Sequence, residues 1–90
     1  MHLRGLIQSA SLAEFPEGSD QVEMVLKVQG VGAGQPRTII IPFDLLLQDS
    51  SLEPESVERR AFDAEVEAGD GGRWIVSRIE FASRVLRPPG

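Results

Sequence analysis

Apolar residues recur along this chain mostly at every second position, the spacing of a strand with one buried face. In "QVEMVLKVQ", Val22, Met24, Leu26 and Val28 share one parity while Glu23, Lys27 and Gln29 share the other, with Val25 as the exception. "AFDAEVEA" alternates cleanly, Phe62, Ala64 and Val66 against Asp63, Glu65 and Glu67. "RTIIIPF" is continuous and β-branched, the pattern of a strand buried on much of both faces. "RWIVSRIEFASRVL" is a long β-rich run, and "LRGLIQSASLAEF" is a weaker strand with a bend expected near Gly5 or Ser9. "PEGSD", "GVGAGQP" and "AGDGG" read as the turns.

One connection, "FDLLLQDSSLEPESVERR", breaks the two-residue period. Asp44 is placed to cap a helical turn over residues 45–47. Ser50 and Glu53 have capping-box spacing, and Pro54 suits a helix start. One or two short helical turns are therefore predicted between the third and fourth strands.

Parity also predicts register, because a slip of one residue turns every side chain to the other face. Pairing Glu67 with Trp74 sets Val66 against Ile75, Ala64 against Ser77 and Phe62 against Ile79 on the core face. The outer face then pairs Glu65 with Val76 and Asp63 with Arg78. In the second and third strands, Val28 meets Ile39, Leu26 meets Ile41 and Met24 meets Phe43. Four apolar residues are left facing outward: Val25, Ile40, Trp74 and Val76. Such a group needs a cover, either the helical connection or another chain, and forms the candidate interaction surface.

Five strand segments, a helical break after the third, and glycine-rich loops one-two, two-three and four-five resemble an OB-fold barrel. "GRWIVSRIEFASRVL" is also similar to the closing strand of bacterial single-stranded DNA-binding proteins, where a basic residue and an aromatic likewise precede alternating apolar positions. The resemblance implies a mainly β protein: a small five-stranded OB-like barrel with a short helical connection between strands 3 and 4. An SH3-like or other small barrel is the alternative. The resemblance also implies a single-stranded nucleic-acid partner, with Trp74 for stacking and Lys27, Arg37, Arg73 and Arg78 for phosphate.

Composition tempers that implication. The 90 residues (1–90) form one domain, and their net charge of −5 lacks the basic excess of a nucleic-acid binder. Its aromatics are four phenylalanines and one tryptophan, with no tyrosine. Phe43, Phe62 and Phe81 are expected to point inward, and Asp63, Glu65 and Glu67 share the outer face with Trp74. All but one of the nine basic residues are arginine, several of them close to the C-terminus. There is no cysteine, which fits a cytoplasmic chain, and no apolar run approaches the ~20 residues of a membrane span.

The candidate chemistry is thin. Gly30, Gly32 and Gly34 have GxGxG spacing rather than GxGxxG, and no helix follows to hold a phosphate, so they read as a hairpin connection. His2 is the sole histidine, too few for a histidine-based triad or zinc site. Asp63, Glu65 and Glu67, with Asp70, outline at most a loose calcium site and read as a solvated strand face. No catalytic residue, metal site or cofactor is expected. The expectation is a non-catalytic binding barrel that acts through a protein partner or homo-oligomer; the alternative is a single-stranded nucleic-acid-binding protein.

Overall fold

The structure is a computed structural model that describes residues 1–15, 17–30, 37–48, 52–81 and 84–86. The chain is mainly β. Its elements are β1 (His2–Glu14), β2 (Val22–Gly30), β3 (Arg37–Ile41), α1 (Phe43–Leu46), α2 (Pro54–Val57), β4 (Ala61–Ala68), β5 (Trp74–Phe81) and β6 (Arg84–Leu86). The sheet order is β3-β2-β1-β4-β5-β6, and an additional parallel pairing of β3 with β5, at Ile40 and Ile75, closes β1 to β5 into a five-strand barrel. That arrangement is compatible with an OB-like fold. The long apolar run near the C-terminus is divided: β6 pairs antiparallel with β5 instead of continuing it.

β1 serves two neighbours. Residues 2–6 pair with β4 and residues 5–14 with β2, and a register shift between Ile7 and Ser9 bends it. The bend falls at the second of the two positions expected from the sequence. Gly5 permits the close approach of β2, because a Cβ there would stand 1.9 Å from the Gln29 carbonyl oxygen. Backbone bonds from Ile7 N to Arg60 O (2.9 Å) and from Arg59 N to Ile7 O (2.6 Å) tie the end of the helical connection to the bend.

The core is built from the predicted parity. Met24, Leu26, Val28, Ile39, Ile41, Phe62, Ala64 and Val66 are all buried in one cluster with Ile7. The β2–β3 register differs by two residues from the sequence expectation: Met24 faces Ile41, not Phe43. A shift of two keeps every side chain on its face, so the core residues survive it. The physical reason is Pro42, which has no N–H to donate to a ladder. The chain leaves the sheet there, and Phe43 begins α1, half-buried. Pro42, rather than Asp44, is the N-cap of that turn.

The second helical turn does start at Pro54, with Glu53 as its N-cap. Ser56 Oγ donates to the Glu53 carbonyl at 2.7 Å, and the Glu53 N–H donates to Ser56 Oγ at 3.3 Å. The capping role expected of Ser50 lies outside the described residues, as do Gly32 and Gly34 of the glycine-rich loop. Leu45, Leu52 and Val57 bring apolar side chains from the connection into the core.

The β4–β5 hairpin corrects the sequence reading. Gly69 N bonds Arg73 O at 2.6 Å, with Gly71 and Gly72 at φ 70° and 76° in the turn, so Ala68 and not Glu67 faces Trp74. A bulge between Glu65 and Val66 then shifts the register again, to Ala64 opposite Ile79 and Phe62 opposite Phe81. The bulge has a clear cause. Strict alternation would point the Ser77 hydroxyl into the core against Ala64, and an unpaired buried hydroxyl costs about 1–3 kcal/mol. Instead Ser77 Oγ donates to the Glu65 carbonyl at 3.2 Å, while Val76, Ile79 and Phe81 all point inward.

Candidate interaction surfaces

The hairpin correction dismantles the apolar surface inferred from parity. Val76 is fully buried in the core. Trp74 shares its parity, so its half-buried ring packs against the core rather than facing outward. The Arg37 guanidinium covers that ring, 5.8 Å from its centroid, and Arg37 Nη1 also lies 3.5 Å from Met1 Sδ. Ile40 does alternate out of the core, but it is only 7% exposed. Its ladder neighbours are the half-buried Val25 on β2 and Ile75 on β5, so the barrel's closure seam shields it. Of the four residues, only Val25 and Ile40 remain together on an outer face.

The same face carries a cluster that parity did not reveal. The β1–β2 turn is closed by Phe15 N donating to Gln21 O at 3.2 Å, which holds Phe15 at the rim of the β2–β3 face, 48% exposed. Arg73, leading into β5, lies over this ring with its guanidinium carbon 3.6 Å from the centroid. Its Nη2 donates to Glu23 on β2. The pair is largely sheltered, with side-chain exposures of 23% for Arg73 and 12% for Glu23. Phe15, Arg73, Glu23, Phe43, Asp44 and Ile75 line a shallow cleft of about 220 Å³. Elimination offered the only sequence signal for Phe15: the other three phenylalanines were expected to point inward, and Phe15 was given no place in the core.

The cations proposed for phosphate do not converge. Lys27 is exposed on β2 opposite Thr38. Arg37 sits over Trp74, and Arg73 is neutralised by Glu23. Arg78 lies on the β1–β4–β5 face, with Nη1 3.4 Å from Asp63 and Nη2 3.0 Å from Glu80. The expected Asp63–Arg78 pair is thus diagonal, since Arg78 faces Glu65 in the ladder.

Asp63 is the hub of that face. His2 Nε2 lies 2.8 Å from Asp63 Oδ1, and Arg4 Nε lies 3.4 Å from Oδ2. The hydrogen bond from His2 is the largest cause that holds the Asp63 carboxyl below its ordinary value. Partial burial opposes it, and the charge of His2, a hydrogen bond from Arg78 and the charge of Arg4 reinforce it. Among the described residues, no group of three or more His, Cys, Asp or Glu is arranged to hold a metal ion. No helix among them is long and apolar enough to cross a membrane. Comparison with protein-family models, curated proteins and solved structures gave no match.

Proposed function

We propose that this chain is a non-catalytic binding barrel that works through protein contact, and that the Phe15–Arg73 cleft is its anchor, with a second copy of the chain as the partner to test first. The observation that carries this reading is the state of Arg73. It presents an arginine stacked on an exposed aromatic, a pairing of the residue types enriched at protein interfaces. Its charge is already balanced by Glu23, and Asp44 lines the same cleft. A site so neutralised offers stacking and apolar contact but little attraction for phosphate. The overall charge of −5 acts in the same direction.

A second reading has one specific observation in its favour. The cleft lies at the β2–β3 face between the β1–β2 and β4–β5 connections, where OB-fold barrels bind oligonucleotides. One pair of experiments separates the two. Sedimentation over a concentration series should reveal association that Phe15→Glu abolishes, while oligo-dT should give no saturable change in Trp74 fluorescence. Salt-sensitive binding of oligo-dT that Phe15→Ala weakens would replace the protein reading with the nucleic-acid one. A chain that stays monomeric throughout would exclude the second copy as the partner.

A further inference from the structure

A different face holds a different kind of groove. On the outer surface of β1 and β4, Arg4 and Leu6 stand two residues apart and share a side, about 7 Å from one another. Ala61 is the ladder partner of Leu6, and Arg60, just before it, lines one cleft together with Arg4. Leu6 is 54% exposed and shares a cleft with Arg4, so an apolar spot adjoins the cleft of the two arginines. Two adjoining clefts, of about 570 and 400 Å³, meet here and share Arg4, Ala61 and Phe62. The larger continues to Arg78 and Glu80 on β5.

The charges in this groove are not equally engaged. Asp63 is satisfied by His2, Arg4 and Arg78, and Glu80 is paired with Arg78. Arg4 pairs with Asp63 through Nε at 3.4 Å, yet its side chain is 74% exposed. Arg60 has no ion-pair partner among the described residues. Two exposed arginines thus line a cleft that adjoins an exposed leucine, in a chain whose charge is otherwise acidic.

We infer that this groove binds an extended acidic peptide segment of a protein partner, one that sets carboxylates beside an apolar side chain. Charge complementarity selects that occupant. A guanidinium fork matches a carboxylate with two parallel hydrogen bonds. A peptide can seat its carboxylates on Arg4 and Arg60 and its apolar residue on Leu6. A polynucleotide carries a charge at every step and would bring phosphates against Asp63 and Glu80. The groove is separate from the Phe15 cleft, so this inference does not depend on that site.

The test uses the whole chain and a short fluorescein-labelled peptide that alternates glutamate and leucine, read by anisotropy. Binding should be saturable and should weaken as salt rises. Arg4→Glu combined with Arg60→Glu should raise Kd by about tenfold or more, since reversing a charge replaces attraction with repulsion. Arg4→Gln with Arg60→Gln should raise it by a smaller factor, which guards against misfolding of the reversed variant. Phe15→Ala should leave Kd unchanged, so failure here is distinct from failure of the cleft reading. Absence of saturable binding would overturn the inference. So would an unchanged Kd in both double variants, equal binding of a lysine–leucine peptide, or displacement of the peptide by oligo-dT at lower concentration.

Discussion

Arg59 adopts φ 66°, the only non-glycine residue at positive φ among those described. It turns the chain from α2 into β4, and its N–H bonds the Ile7 carbonyl at 2.6 Å, so the strained conformation is held by the bend in β1. The left-handed region costs a residue with a Cβ about 1–2 kcal/mol. Glycine removes that cost but loses about 0.5–1 kcal/mol through the greater freedom of the unfolded chain. Arg59→Gly should therefore stabilise the protein by about 0.5–1 kcal/mol, seen as a higher urea midpoint with an unchanged slope. A lower midpoint would show that the exposed Arg59 side chain contributes contacts of its own.

At the scale of elements, the β4–β5 hairpin shows how a bulge reassigns a strand. Before the bulge Val76 points inward; after it, Ile79 and Phe81 do, although they have the opposite parity. Phe62 faces Phe81 across this ladder and is 4% exposed, so it packs against β5 in a core of modest size. Phe62→Ala should cost about 3–5 kcal/mol in thermal or urea unfolding, the range for large-to-small aromatic changes in cores. A cost below about 1 kcal/mol would mean that the surrounding side chains collapse into the space, or that Phe62 is less enclosed than its burial indicates.

For the molecule as a whole, folding assembles charges that are distant in sequence. His2 and Arg4 come from the start of β1, Asp63 from β4, and Arg78 from β5. The Met1 amino group donates to the Val66 carbonyl at 2.8 Å, so the N-terminus is stitched to β4 beside this network. Because the folded-state value of the Asp63 carboxyl is depressed, its contribution to stability is present above the unfolded value of about 3.9 and is lost as pH falls through the lower folded value. Asp63→Asn should thus be less stable than the parent above about pH 4, with the two converging as the pH is lowered further. Parallel urea titrations across that range would show it. A difference that persists undiminished in acid would assign the effect of Asp63 to packing rather than to its charge.

The amino-acid sequence by itself determined which faces of most strands are buried. Alternation is a local property, so Met24, Leu26, Val28, Phe62, Ala64 and Val66 could be placed in a core without knowing their partners. It also determined the turn signals and the helical interruption before β4, which together imply a small barrel. Only the tertiary structure decided the pairings. Pro42 ended β3 two residues early, and a bulge placed to keep Ser77 out of the core turned Val76 inward and Trp74 with it. A bulge depends on what the partner strand offers at one point, and alternation along a single strand carries no record of it. The candidate sites were still less legible. Phe15 meets Arg73 beside the β2–β3 face, and Arg4 and Arg60 line one cleft, because closure of the barrel joins segments that are remote in the chain. Their chemistry arises from contacts between strands, and those contacts exist only once the barrel is closed.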